Sequence, residues 1–403
     1  MPPKTTSEKI LGSKSGTDAR AGDIVLCEPD LVLGTDGSTP MAIDLFEQMG
    51  GRGVRYPERV ILSRDHYAPA TTNATRQFHD RMEAFANQHG ISLLSVDDGI
   101  GFSVALEAGM VSAGSLVVGA DSHTVTCGAA GAFACGIGST DLAAVFLTGE
   151  VWLRVPETSR VVLQGALPHG VTPKDLALEL VSSLGIEGAN YQTIEFIVPE
   201  ERTLTTEGRE IVSNLAAETG AKAAVFPTGE WASDEGSGIV SEILIDCGTL
   251  QPLVATPHDP ASGLPVGEVA GTSIDRVFLG TCTGGHAQSY REALDVLDAG
   301  NGVAQGVTLV VTPPTRSVRL DLERDGTLQR LEALGATVTE TGCGACCGTS
   351  GPIPHENTKV LSTANRNFRG RMGEPTANIY LGSHITCAAA AATGRLVDPR
   401  EIL

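Results

Sequence analysis

Three short apolar runs in this chain each stop at a polar, chemistry-bearing residue, and that pattern limits the folds open to it. Arg59-Val60-Ile61-Leu62 runs into Ser63-Arg64-Asp65-His66, and Ser115-Leu116-Val117-Val118 into Gly119-Ala120-Asp121-Ser122-His123. Arg276-Val277-Phe278-Leu279 runs into Gly280-Thr281-Cys282. Apolar runs without alternation suit strands covered on both faces, as in a parallel sheet between helix layers. Ligands of such sheets lie beyond the carboxyl ends of the strands. Asp65, His66, Asp121, His123 and Cys282 are expected there.

Helical stretches alternate with these runs. Thr172-Pro173-Lys174-Asp175 reads as an N-cap, a proline at the first helical position and an acid in the first turn, with Gly185 as the stop. A second helix is expected from a Ser139-Thr140-Asp141 cap through Val145 to Leu153, and a third over residues 320–334, ended by Gly335. The alternation predicts an α/β fold with parallel sheets. At 403 residues the chain is too long for one small core, so two or three lobes are expected. Pro156 to Thr158 closes a glycine-rich first lobe, residues 1–158. A stretch rich in Pro, Gly, Asp and Ser at 256–267 separates a middle lobe, 159–267, from a cysteine-bearing third, 268–403.

The formal charge of −20 argues against nucleic-acid binding through a basic face, and it obliges any anionic substrate to find a local positive site. The first thirty residues contain no apolar segment of the secretory kind, and no run is long enough to span a bilayer, so a cytoplasmic protein is expected. Nine cysteines, an odd number scattered along the chain, do not suggest a disulfide framework. Cys135 and Cys387, among small apolar neighbours, read as buried thiols.

Cys282 lies 61 residues before Cys343, which forms a C-x-x-C pair with Cys346 in glycine-rich sequence. A C-x-x-C pair alone reads equally well as structural zinc, a plain loop or a catalytic site. Three well-placed thiols fall one short of a closed zinc site, whereas a cubane cluster held by three cysteines keeps one iron open. Cys347 reads as a buried bystander, or else as a fourth ligand that would close the site. Asp65-His66 and Asp121-Ser122-His123 suit acid/base and orienting pairs, because a carboxylate beside an imidazole raises its basicity and sets its tautomer. The plainer alternative is that each Asp caps a loop. Arg366 and Arg371, five residues apart, suit bidentate grip on carboxylates, although isolated arginines are usually surface residues. By spacing alone Glu218 is an ordinary acid on a helix surface.

Taken together these motifs resemble the large subunits of the aconitase superfamily, nearest to those of 3-isopropylmalate dehydratase and homoaconitase. The likeness runs almost end to end: Asp36-Gly37-Ser38-Thr39-Pro40, Arg64-Asp65-His66, residues 118–124, 136–141 and 214–220, Pro257-His258, the cysteine motifs, and residues 365–371. It implies a three-lobed α/β/α large subunit without a swivel domain, and a [4Fe-4S] cluster on Cys282, Cys343 and Cys346. Asp65, His66, Asp121 and His123 would then assist departure and return of a hydroxyl, with Glu218 near the labile iron. Arg366 and Arg371, with Asp36 and Ser38, would bind substrate. The reaction implied is reversible dehydration of a 2- or 3-hydroxy di- or tricarboxylate. A separate small swivel-domain subunit, carrying the proton-abstracting serine, would complete a heterodimer, and this chain alone would be inactive.

Three segments depart from the family pattern. Phe102 stands where a His is usual, Gly284 and His286 replace an Asn and an Arg after Cys282-Thr283, and Thr35 replaces a His or Gln. Two of these changes remove donors or bases, and phenyl for imidazole adds apolar surface. An alkyl-bearing substrate of the isopropylmalate/alkylmalate type, in a specialised pathway, is therefore expected. A homoaconitase or dimethylmalate-type dehydratase, a non-catalytic cluster-binding paralogue and a zinc-dependent lyase are the alternatives.

Overall fold

All three apolar runs form strands, Val60–Ser63, Leu116–Gly119 and Arg276–Gly280, buried along their length. The structure, a computed structural model, describes residues 2–199 and 204–403. The first lobe is built on five parallel strands in the order Ser92–Leu93, Val60–Ser63, Leu31–Thr35, Leu116–Gly119, Phe133–Gly136. The middle lobe has four parallel strands, in the order Ala223–Val225, Thr193–Ile197, Thr158–Gln164, Ile239–Asp246. The third has five parallel strands, Asn378–Gly382, Lys359–Ser362, Arg276–Gly280, Thr308–Thr312 and Ala336–Val338, in that order. Two antiparallel strands, Leu253–Ala255 and Gly263–Pro265, extend this sheet at the Asn378–Gly382 edge. Those two strands precede residue 268, so the third sheet begins earlier in the chain than the loop composition predicts. Hydrogen bonding across the sheet, not local composition, sets that limit.

Helix Pro173–Leu184 has the expected start: Thr172 caps it and Asp175 returns the bond to the cap, with Gly185 ending it. Two other expectations need correction. The helix from Ser139 stops at Thr148, where Gly149 takes φ +79°, and Val151–Arg154 pairs as a strand with Ile24–Cys27. Residues Val151–Arg154 alternate buried and exposed, the period of a strand and not of a helix. The stretch 320–334 is not one helix but lies in two, Arg316–Arg324 and Thr327–Ala333, broken at Gly326 with φ +84°.

The lobes share their cores. Leu176, Val212 and Phe226 of the middle lobe pack in one apolar cluster with Phe278, Val310 and Cys346 of the third. The first and middle lobes approach at backbone contact: Phe226 N donates to Gly128 O at 3.0 Å. A Cβ at Gly128 would fall 1.8 Å from Ala224 O, so only glycine permits that approach. No helix among the described residues is long and apolar enough to cross a membrane.

Candidate active site

Six parallel strands deliver their following residues to one place. Asp36 follows Leu31–Thr35, Asp65 and His66 follow Val60–Ser63, and Asp121 follows Leu116–Gly119. Cys282 follows Arg276–Gly280, Cys343 follows Ala336–Val338, and Asn365 and Arg366 follow Lys359–Ser362. The carboxyl ends of the first and third sheets face each other there, with Cys343 N donating to Asp65 O at 2.9 Å. Parallel strands stop with their last carbonyls and side chains pointing the same way, which is why these residues converge.

His66 is locked from several sides. Its Nδ1 pairs with Asp65 Oδ1 at 2.8 Å, while its Nε2 lies 3.6 Å from Asp121 Oδ2. Asp65 Oδ2 accepts from Gly101 N and Ser63 Oγ, each at 3.0 Å. Burial pulls the imidazole's pKa down, but Asp65, then Asp121, outweigh it and hold His66 well above the ordinary histidine range. Asp36 is buried beneath, accepting from His66 N and Tyr67 N at 3.0 Å each and pairing with His79 Nε2 at 2.9 Å. Its oxygens are thus spent on the His66 backbone and on His79. Ser38 likewise turns inward, its Oγ 3.1 Å from Thr35 Oγ1.

A second charged group faces the first. His123 Nε2 pairs with Glu218 Oε1 at 3.0 Å, and Arg366 Nε donates to both Glu218 oxygens at 2.9 and 2.8 Å. Arg366 also donates to Ser122 Oγ at 3.1 Å, and His123 N to Asp121 Oδ1 at 2.7 Å. Glu218 is 6% exposed, in a 3-10 turn after helix Thr206–Ala216, so the reading of it as a helix-surface acid is corrected. The chain leaves helical hydrogen bonding at Ala217, which turns the side chain toward the first lobe. Burial raises its pKa, yet His123 and then Arg366 hold it below the usual carboxylate range. Sequence reasoning had no signal for this burial, because the covering residues come from two other lobes.

The thiols lie on strained loops. Gly280 has φ +146°, and a Cβ there would meet Thr312 O at 2.1 Å, so only glycine closes the turn leading to Cys282. Asn365 Nδ2 donates to Cys282 Sγ at 3.5 Å and to Asn214 Oδ1 at 3.2 Å, and Asn214 Nδ2 to Thr126 Oγ1 at 2.8 Å. These asparagines, from different lobes, were missed as functional candidates. Arg371 reaches Cys346 Sγ at 3.9 Å. Cys347 is half-buried, with its Sγ 2.7 Å from Thr349 Oγ1.

This donor set fits an iron–sulfur cluster better than a single ion. Sulfurs on one tetrahedral zinc sit about 3.8 Å apart. Among the described residues the group of three whose ligand atoms all lie within 4.8 Å of one another is Asp36, Asp65 and His66; no three cysteines there meet that limit. That acidic group is itself committed to the hydrogen bonds already described. Burial pushes the Cys282 thiol up to about 12. Its neighbour Cys347, then burial, hold Cys343 well above the ordinary thiol range, so a thiolate at Cys282 or Cys343 requires a cationic partner. Thr281 Oγ1, Asn365 Oδ1 and Arg371 Nε are buried around them without a protein partner among the described residues.

The departures from the family pattern have local reasons. Phe102 is 4% exposed, packed with Leu33, Ile61 and Ile100, with Cys282 and Cys343 against the same apolar cluster. It belongs to the floor under the thiol loops, not to an open cleft. A Cβ at Gly284 would fall 2.2 Å from Thr363 Cβ, so the asparagine has no room in this loop. His286 Nε2 lies 3.7 Å from Glu210 Oε2 beside a cavity of about 650 Å³ at the junction of the lobes. Burial, then Glu207 and Glu107, push Glu210 up to about 7. An acid whose folded pKa is raised binds its proton more tightly when folded, so its contribution to stability falls as pH rises from about 4.5 to about 7. Glu210→Gln is expected to raise the melting temperature more at pH 8 than at pH 5; an equal gain at both would contradict this account.

Fold and site define an α/β enzyme whose thiol loops and charged pairs meet at the ends of parallel strands. The model of the aconitase family (aconitate hydratase) matches residues 8–234 and 267–394, and the chain belongs to that family. Membership makes it a hydro-lyase. It is 40% identical to 3-isopropylmalate dehydratase large subunit 1 of Methanopyrus kandleri, over 99% of this chain and 100% of that protein. It is also 40% identical to the homoaconitase large subunit of Thermus thermophilus, over 99% of this chain and 98% of that protein. The crystal structure of Thermococcus kodakaraensis aconitase X in its holo form shares the fold, with a TM-score of 0.54 and 13% identity, over 85% of this chain and 84% of that one.

Proposed function

We propose that this chain is the cluster-holding large subunit of a hydro-lyase for hydroxy di- or tricarboxylates of the isopropylmalate type, completed by a small swivel-domain subunit. The observation that carries the reading is the meeting of Cys282, Cys343 and Cys346 with two carboxylate–histidine groups and Arg371 at one set of strand ends. The relatives' names supply the substrate class and the word large; they fit isopropylmalate and homoaconitate chemistry equally, at 40% identity each.

In this reading Cys282, Cys343 and Cys346 hold a [4Fe-4S] cluster, which when bound supplies a Lewis acid for the substrate's hydroxyl and adjacent carboxylate. His66, kept protonated by Asp65 and Asp121, gives its proton to the departing hydroxyl and takes it back on hydration. Asp36 holds the His66 main chain in place. Arg371, with a free Nε, grips a substrate carboxylate, while Arg366 chiefly holds Glu218 against His123. Asn214 and Asn365 orient the Cys282 sulfur. The protein works in the cytoplasm, where thiols stay reduced.

The test is iron and acid-labile sulfide per chain after anaerobic reconstitution, followed by dehydration assays on isopropylmalate and homocitrate with a swivel-domain partner. About four of each per chain are expected, lost together in Cys282→Ala. Zinc in place of iron, or full turnover by the Cys282→Ala variant, would sink the reading.

A further inference from the structure

Behind the thiol loops lies a lysine that no role so far described uses. Lys174, on the first turn of helix Pro173–Leu184 in the middle lobe, is 1% exposed. Its Nζ donates to Thr283 Oγ1 at 3.1 Å, Thr363 O at 3.0 Å and Ala364 O at 2.7 Å. All three acceptors are uncharged, and Lys174 makes no salt bridge among the described residues. Thr283 follows Cys282 directly, and Ala364 precedes Asn365, which donates to the Cys282 sulfur. One ammonium therefore spans the loops that present Cys282 and Asn365-Arg366.

Burying an ammonium is costly, and neutral hydrogen bonds alone return little of that cost. Burial draws its pKa down to about 8, and the groups pulling the other way are Cys282 first, Cys346 next, then Cys387 and Glu218. Two of the three proposed cluster ligands head that order. A thiolate-bound cluster concentrates negative charge there, and cluster potential and retention depend on nearby charge and hydrogen bonding.

We propose that Lys174 is the buried counter-charge of the cluster, a positioning residue that sets how tightly the cluster is held and how readily it accepts an electron. The inference rests on the cluster reading above. It is distinct from a mere tether, which would act through hydrogen bonds and would matter equally with no cluster bound.

Wild type, Lys174→Met and Lys174→Gln are compared, each without cluster and after anaerobic reconstitution. Gln keeps hydrogen-bonding capacity but not charge, so it separates the two roles. Expected are cluster-free K174M and K174Q chains that melt no lower than the cluster-free wild type, because an unpaired buried charge has been removed. Reconstituted, both lose iron to a chelator at least about tenfold faster and show a lower reduction potential than wild type. K174Q matching loaded wild type in both readouts overturns the inference. Cluster-free K174Q that melts lower or fails to fold makes Lys174 a structural tether and also overturns it; if only K174M fails to fold, K174Q decides. A wild-type chain that takes up no iron and sulfide instead overturns the cluster reading itself.

Discussion

His66→Asn is expected to lower kcat by about 10²–10⁴-fold while leaving bound iron and sulfide at the wild-type level. The loop around His66 is held by main-chain groups that the substitution keeps: His66 N donates to Asp36, and His66 O accepts from Thr349 Oγ1 and Ser350 Oγ. What the variant loses is an imidazole whose pKa Asp65 and Asp121 raise against the pull of burial. Asparagine cannot deliver a proton to a leaving hydroxyl, so the loss belongs in kcat. Steady-state kinetics beside iron analysis checks this. A variant with normal kcat, or one that loses the cluster, would assign His66 a different role.

Arg366→Met is expected to destabilise the cluster-free chain by up to about 3–5 kcal/mol, the cost of leaving a buried carboxylate with one of its two partners gone. Glu218 is 6% exposed and receives two bonds from Arg366 Nε, so without the guanidinium it faces His123 alone. Adding Glu218→Gln to the same chain should recover part of the loss, because the neutral amide needs no counter-charge. Glu218→Gln by itself should cost less, since Arg366 is 23% exposed and its freed end can reach water. Denaturation midpoints of the three variants check the order. An unchanged midpoint in Arg366→Met would mean that these groups are not coupled.

Motif by motif, the sequence leads to the right fold class because the decisive signals are local. Buried-strand runs, the Thr172-Pro173 start and the Gly185 stop each depend on a few adjacent residues. Where it misleads, the deciding partner is remote. Val151–Arg154 becomes a strand because Ile24–Cys27 is there to pair with it. The third sheet takes in Leu253–Ala255 because Asn378–Gly382, more than a hundred residues later, offers an edge.

The site divides in the same way. Asp65, His66, Asp121, His123 and Cys282 are legible as residue types at strand ends, and Cys343, Cys346 and the arginines from their spacing and by resemblance to a family. The work each does is not legible. Asp36 is spent on backbone amides and His79, Glu218 is buried under residues of two other lobes, and Phe102 forms the floor beneath the thiols. Sequence alone determined which chemical groups this protein owns and the sheet architecture that collects them, since those follow from local pattern and covalent order. Tertiary structure alone decided which groups are buried, paired or free, and with them the charge on His66, Glu218 and Lys174. Desolvation and Coulomb interaction depend on distances in space, and neighbours far apart in the chain set those distances.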